Sequence, residues 1–214
     1  MIKVEHIDTW GFEHAIRGMR NPLNSWAKSD SSYGYEAYSG EFVPNLKIGE
    51  NDLNLMHRLY VGGQPHRKYL RQIFAVMDIT APLYWWKEFD TYKVGTTANS
   101  CSTMHKIAAK DFELSDFSTE HLSEDVINKP FKEIIDCLNF FRGLYTLNKD
   151  KSDWWQMIQL LPSSYNQRRT VSMTYENVMN MLDYRENHKL DEWREFCRIL
   201  RELPYIKEIR GEDK

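Results

Sequence analysis

The sequence predicts a helix-rich α+β fold. Three observations carry that expectation. Apolar residues recur with a 3.6-residue period over Glu124 to Leu147, through Ile127, Phe131, Ile134, Ile135, Leu138, Phe141 and Tyr145. Apolar and polar residues alternate over Leu70 to Ile79, which puts Ile73, Ala75, Met77 and Ile79 on one face of a strand. The chain has 214 residues, 42% of them hydrophobic and 14% aromatic, enough to bury a substantial core and to exclude a disordered protein. That length suits one domain, or two small ones at most.

The elements follow in order. Ile2 to Ile7 alternates weakly and reads as an edge strand. Phe12 to Arg20 reads as a short helix. Asn21 to Asn45, rich in Ser, Gly, Asn and Tyr, reads as a long functional or mobile loop. Asn51 caps a helix through Leu53, Met56, Leu59 and Tyr60, which Gly62-Gly63 stops. After the Leu70–Ile79 strand, Thr80 caps a further helix with Pro82 in its first turn. Leu83, Tyr84, Trp85, Trp86 and Phe89 make that helix apolar nearly all round, so it is either deeply buried or placed between subunits. Val94 to His105 is a polar, turn-rich segment. Ser152 or Asp153 caps a helix from Trp154 to Leu161, which Pro162 ends. Arg168 to Met173 is a short strand, Thr174 caps a helix through Val178, Met179, Met181 and Leu182, and Glu192 to Leu203 is a last helix stopped by Pro204.

Composition bounds the function. The formal net charge of −3 argues against a duplex-DNA binder while leaving room for a small anion in a local basic pocket. No apolar run is long enough to span a bilayer, and the first ten residues lack a signal-peptide core, so a cytoplasmic protein is expected. Cys101, Cys137 and Cys197 are too widely spaced for a disulfide framework or a zinc site. A mean hydropathy of −0.63 is low for so many aromatics and points to aromatic surface serving a partner subunit or a planar ligand. Phosphate-cradling glycine loops, zinc helices and nucleophile elbows are absent.

Three polar clusters remain. Lys93, Thr96, Asn99, Ser102 and His105 stand three residues apart, a spacing that lines up one side of a tight helical or turn segment. They form either a ligand-binding strip or a Ser/Thr-rich connector that caps the next element. Gln167, Arg168, Arg169 and Arg185, with Asn177 and Asn180, offer guanidinium forks for phosphate or carboxylate, or ion-pair partners for Glu176 and Glu186. His66 and Arg67 follow Gly62-Gly63. Cys101 sits in a polar segment where only His105 is placed to activate it, so a catalytic thiol is disfavoured.

These clusters line up with the flavin-dependent thymidylate synthase family, which the chain resembles in pieces over residues 50–204. The family signature R-H-R-x-x-S-x-N-x-x-S-x-R follows a buried helix that begins with proline. Here the corresponding stretch runs from Pro82 to His105: Thr91, Tyr92 and Lys93 replace the Arg-His-Arg, Thr96 replaces the first Ser, and Asn99 and Ser102 match N-x-x-S after one insertion. Leu160 to Arg185 resembles the segment LP…N-x-R-x-L-M-N-F-L-x-L-R, with Leu161, Pro162, Met179, Asn180, Leu182 and Arg185 in place. His188, Glu192 and Arg194 resemble H-A-Q-x-E-I-R with one deletion, and His66 falls on the first His of H-E-T-P-F-E-H.

The resemblance implies a single domain over 1–214, helix-rich with a small mixed or antiparallel sheet, in a homotetramer with sites between subunits. It implies FAD, with NADPH and methylenetetrahydrofolate as co-substrates, acting on dUMP or a related pyrimidine deoxynucleotide. Carried over by position, His66, Lys93 and Asn180 face the flavin, while Glu88, Asn99, Ser102 and Arg185 face the nucleotide, with Ser102 and Arg185 in the catalytic roles. A diverged member that keeps the fold and assembly without thymidylate synthesis is the alternative. Two signature cations are replaced at Thr91 and Tyr92, Glu88 stands for the family's Gln, and Glu176 replaces an Arg. A like charge about 4 Å from a ligand phosphate costs on the order of 4 kcal/mol at an effective dielectric of roughly 20.

Overall fold

A computed structural model describes residues 2–38 and 41–212. In chain order it contains β1 (Lys3–Trp10), α1 (Phe12–Arg20), β2 (Ser32–Tyr38), β3 (Glu41–Lys47), α2 (Glu50–Val61), β4 (Phe74–Pro82), α3 (Leu83–Phe89), β5 (Thr96–Ser100) and α4 (Thr103–Lys106). There follow α5 (Glu124–Val126), α6 (Lys132–Asn148), α7 (Lys151–Leu160), β6 (Asn166–Thr174), α8 (Tyr175–Arg185), α9 (Asp191–Arg201) and α10 (Ile206–Arg210). No helix among the described residues is long and apolar enough to cross a membrane.

The main sheet has the order β1-β4-β6-β5 and every pairing is antiparallel. The alternation read from the sequence decides its buried face. Ile73, Ala75, Met77 and Ile79 are all fully buried, and Ala75 and Met77 stand opposite Met173 and Val171 of β6, buried equally. Helices α1, α2, α3, α8, α9 and α10 contribute most of the rest of this core, with Tyr69 and Leu70 from the turns before β4. A second apolar cluster lies under the α6–α7 hairpin, built from Ile107, Phe112, Phe117, Phe131, Ile135, Leu138 and Met157.

Trp85, Trp86 and Phe89 are at most 2% exposed. The Trp85 ring packs 4.9 Å from Trp193 and 5.3 Å from Phe196 of α9. Of the two placements open to the aromatic helix, burial within the chain is the one observed, so these rings do not themselves call for a partner subunit.

Several boundaries differ from the sequence reading, each for a local reason. Asn21 to Asn45 is not one loop: two 3-10 turns lead into the β2–β3 hairpin, whose strands pair with each other rather than with the main sheet, and residues 39 and 40 of that span lie outside the described residues. Gly49, not Asn51, precedes α2, and the Asp30 carboxylate accepts from the Asn51 and Asp52 N–H groups in place of a local cap. Residues 64–72 form 3-10 turns, so β4 begins at Phe74 and runs through Thr80 to Pro82, which itself caps α3. Pro130 lacks an N–H and crowds the preceding turn, so the long predicted helix passes through a π turn at Ile127–Phe131. Asp150, rather than Ser152 or Asp153, caps α7. After Pro204 the chain makes a further helix, α10, which the sequence reading missed. β1 is the edge strand expected, α1 has the expected bounds, and Thr174 caps α8, its hydroxyl accepting from the Asn177 N–H.

One buried ion pair anchors the segment between α1 and α2. Arg20 is 4% exposed and Asp52 fully buried, and they meet at 2.6 Å. The second Asp52 oxygen accepts from Ser29 Oγ, Ser31 Oγ and the N–H groups of Asp30 and Ser31, while Arg20 donates to the carbonyls of Ser25 and Lys28. Burial alone would raise the Asp52 pKa. The Ser29, Ser31 and Arg20 contacts outweigh it and hold the carboxyl below its ordinary value.

Asp52→Ala leaves Arg20 buried without its partner and is expected to destabilise the chain by about 3–5 kcal/mol in a urea titration. The Asp52 contribution is complete above the unfolded-state pKa of about 3.9 and is lost as pH falls through the lower folded-state value. Acid titrations followed by circular dichroism should therefore show the wild type losing stability below about pH 4, with a shallower loss in Asp52→Asn.

Candidate functional site

The C-terminal end of α3 is tied to β6 by side chains that stack on it. Trp86 Nε1 donates to the Gln167 carbonyl at 2.9 Å, and the Arg169 guanidinium lies 4.2 Å above the Trp86 ring. From that position Arg169 Nη1 reaches Asp90 at 2.7 Å and Nε reaches Gln167 Oε1 at 2.9 Å. Gln167, nearly buried, uses its Nε2 on the Cys101 carbonyl, so β6, the end of α3 and the end of β5 form one bonded unit. Beyond it the chain turns at Val94-Gly95. Gly95 has φ +78°, and an added Cβ would meet Thr174 and Asn177 side-chain atoms at 3.2–3.3 Å. The Asn177 amide donates to the Val94 carbonyl and the Gly95 carbonyl accepts from the Thr174 N–H, fixing this turn against the start of α8.

α8 then carries Arg185 back to the exposed edge of α3. Arg185 Nη1 donates to Glu88 Oε2 at 3.0 Å, and Nε donates to the Tyr92 hydroxyl at 3.1 Å. The guanidinium carbon lies 5.1 Å from the Trp193 ring and 5.6 Å from the Tyr92 ring. Burial disfavours the Arg185 charge, but Tyr92 and Glu88 more than compensate and raise its pKa. No hydrogen bond to the described protein uses Glu88 Oε1 or Arg185 Nη2. The pair therefore presents a free acceptor beside a free donor.

Of the residues singled out in the sequence, the structure brings Glu88 and Arg185 together. None of the others makes a hydrogen bond or ion pair to either of the two. Lys93 is exposed and lines a cleft of about 410 Å³ with Phe89, Asp90, Tyr92, Thr96 and Ala98. His66 is exposed and lines a different cavity of about 630 Å³, with Leu55, Leu59, Pro65 and Tyr69 among its walls. Asn180 is half-buried on α8. Asn99 is exposed on β5. The Ser102 hydroxyl caps α4, accepting from the His105 N–H at 3.1 Å.

The three-residue polar strip does not form. Thr96–Ser100 is a strand, where side chains alternate with period two, so Thr96 and Asn99 face opposite sides of the sheet. For Ser102 the connector reading describes the geometry. Cys101 is exposed at the end of β5. The arginines have partners of their own: Arg168 pairs with Asp78 at 2.6 Å, Arg169 with Asp90, and Arg71 with Glu176 at 2.5 Å. The negative charge expected at Glu176 is thus met by Arg71, and the roughly 4 kcal/mol like-charge cost does not apply in full. Glu186 pairs with Arg201, not with Arg185. Sequence reasoning missed Tyr92 and Trp193 as the residues that hold Arg185. Each lies on a separate element, so no spacing signal links them.

No protein-family model matches the chain, and no curated protein matches it in sequence. In three dimensions it is similar to the flavin-dependent thymidylate synthase ThyX of Helicobacter pylori complexed with FAD and dUMP, with a TM-score of 0.68 and 19% identity over 99% of this chain and 98% of that one. A second structure of the Helicobacter pylori enzyme with FAD and dUMP, at 2.31 Å resolution, gives a TM-score of 0.69 and 19% identity, covering 100% and 98% of the two chains. The helix-rich α+β architecture and its small antiparallel sheet are those of the flavin-dependent thymidylate synthase fold.

Proposed function

We propose that this chain, as a single domain over 1–214, is a flavin-dependent thymidylate synthase-like protein that holds dUMP or a related pyrimidine deoxynucleotide at the Glu88–Arg185 pair. The observation that carries this reading is the meeting of two residues far apart in sequence at 3.0 Å, on a fold shared along its whole length with an enzyme solved with dUMP. A pyrimidine base edge sets a ring N–H beside a carbonyl. Glu88 Oε1 accepts from the one and Arg185 Nη2 donates to the other. Tyr92 and Trp193 keep the guanidinium in its plane, which limits the rotamer entropy lost on binding. Ser102 accepts a hydrogen bond from His105 and keeps its own O–H to donate to a ligand.

In one copy the Lys93 cleft and the His66 cavity, which Lys68 also lines, each offer a single lysine to a flavin diphosphate. Arg71, Arg168, Arg169 and Arg185 are each neutralised by a carboxylate, and Lys93 is the cation of its cleft among the described residues, beside Asp90. A dianion there lacks the charge compensation its burial requires. His66 and Lys93 also line separate cavities, so a flavin touching both, with Asn180, has to bridge copies of the chain. Reductive methylation of dUMP with FAD, NADPH and methylenetetrahydrofolate accordingly belongs to a homotetramer in this reading. The second reading keeps fold and assembly but not that activity, and binds another nucleotide or a protein partner. The paired arginines favour it.

The visible absorption spectrum with excess FAD separates the two. Flavin bands retained after gel filtration, and bleached by reductant and dUMP, support the synthase. A colourless protein supports the second reading. For the nucleotide, dUMP at 100 times its Kd should stabilise the fold by about 2.7 kcal/mol, seen as a thermal shift of about 2–4 °C per kcal/mol. Arg185→Ala should abolish that shift while the protein stays folded, because the ion pair it loses is partly exposed and worth no more than about 1 kcal/mol. An undiminished dUMP shift in Arg185→Ala removes Arg185 from the site.

A further inference from the structure

A cavity of about 620 Å³ lies where the end of β1, the start of α1, the β2–β3 hairpin and the start of α10 meet. It shares no lining residue with the Lys93 cleft or the His66 cavity, and neither Glu88 nor Arg185 belongs to it. Trp10, Phe12, Tyr33 and Tyr205 give it aromatic walls. Glu13 and Glu208 give it carboxylates, and no lysine or arginine lines it.

The backbone around this cavity takes two conformations that side chains rarely adopt. Gly11, at φ +94°, turns the chain from β1 into α1, and a Cβ there would collide with the Gln72 carbonyl. Tyr205 has φ +62°, which is unusual for a bulky residue. Its hydroxyl donates to the Leu46 carbonyl at 3.1 Å and accepts from the Ile48 N–H at 3.3 Å, so the strained residue joins the start of α10 to the end of β3. Its ring meets Phe12 edge-on at 5.4 Å. From the other strand of the hairpin, the Tyr33 hydroxyl donates to the Glu13 carboxylate. Trp10 stacks one face on Phe74 at 6.0 Å and is still 47% exposed, so its other face is open.

The carboxylates are not alike. Glu13 is engaged by Tyr33, and the neighbouring His14 contacts Arg17. Glu208 is half-buried, and no described residue gives it a hydrogen bond or an ion pair. The cations of its own helix are used elsewhere: Lys207 pairs with Glu202, and Arg210 with Asp183 and Glu212. An unpaired carboxylate among aromatic rings draws a cation by its charge and by the ring quadrupoles together.

The geometry points to a binding site for a small organic cation with an alkylated ammonium group, held by Trp10, Tyr33 and Tyr205 with Glu208 as its counter-charge. The volume is that of a small-molecule site. The balance of rings and acceptors selects the class of cation. A guanidinium has a fork of N–H donors to satisfy and would find one unpaired carboxylate. A quaternary ammonium has no donor and turns methyl groups to the rings. The inference goes beyond the nucleotide reading and uses none of its residues.

Choline is the probe, followed through its methyl protons by saturation-transfer NMR with the full chain. The wild type should bind it roughly tenfold more tightly than dimethylbutanol, the uncharged isostere with carbon in place of nitrogen. Glu208→Gln removes the counter-charge with little change of shape and should weaken choline about fivefold. Trp10→Leu removes an open aromatic face and should weaken it about threefold. Absence of choline binding, equal binding of the alcohol, tighter binding of methylguanidinium, or unchanged affinity in both variants overturns the site. The comparison of choline with its isostere needs the wild type alone, so it decides the matter even where a variant fails to fold. Neither FAD nor dUMP is present in these titrations, so a failure here is distinguishable from a failure of the nucleotide reading.

Discussion

The packing of the α3 indoles against β6 and α9 is the constraint on which the rest of the molecule depends. Trp85 and Trp86 are buried to within 1% of their surface, and each fixes a different neighbour. Trp85 sets the position of α9 through Trp193 and Phe196. Trp86 holds β6 through its N–H bond to Gln167 and presents its face to Arg169. The helix has no freedom to turn, so Glu88 has to point to its exposed side and Asp90 toward β6. The cluster is held by apolar area and ring contacts rather than by polar satisfaction: the indole N–H groups of Trp85 and Trp193 are buried without an acceptor, a loss of about 1–3 kcal/mol each that the packing outweighs.

The same rigidity governs the electrostatics. Each arginine near the site emerges from a fixed strand or helix end within reach of a carboxylate on a neighbouring element: Arg168 of Asp78, Arg169 of Asp90, Arg71 of Glu176, Arg185 of Glu88. The first three pairs offer little to a dianion. Glu88–Arg185 differs because one oxygen and one nitrogen remain free, and because two aromatic rings hold the guanidinium in place. A pair with a spare acceptor and a spare donor suits a neutral base edge better than a phosphate.

A second rigid point lies at the C-terminal end of α1. Asp52 collects Arg20, Ser29, Ser31 and two backbone N–H groups, and so pins the chain between α1 and the β2–β3 hairpin. In the sequence that stretch reads as a polar loop, because its order comes from a carboxylate on the next helix. α10 was hidden for a similar reason. Ile206 and Ile209 are fully buried, but five residues after a proline carry too short a period to register as a helix.

The sequence by itself determined the helix-rich α+β class, the buried face of β4, the cap of α8, the burial of the aromatic helix as one of two placements, and a resemblance whose fold the structure shares. These are local properties: a two- or 3.6-residue period, a cap three residues from its acceptor, a run of indoles with nowhere polar to lie. Only the tertiary structure decided that Thr96 and Asn99 face opposite ways, that Ser102 caps α4, that Glu176 is met by Arg71, and that Glu88, Tyr92 and Trp193 surround Arg185. Each depends on residues brought together from distant parts of the chain, and such contacts follow from how the elements pack, which no spacing along the sequence records.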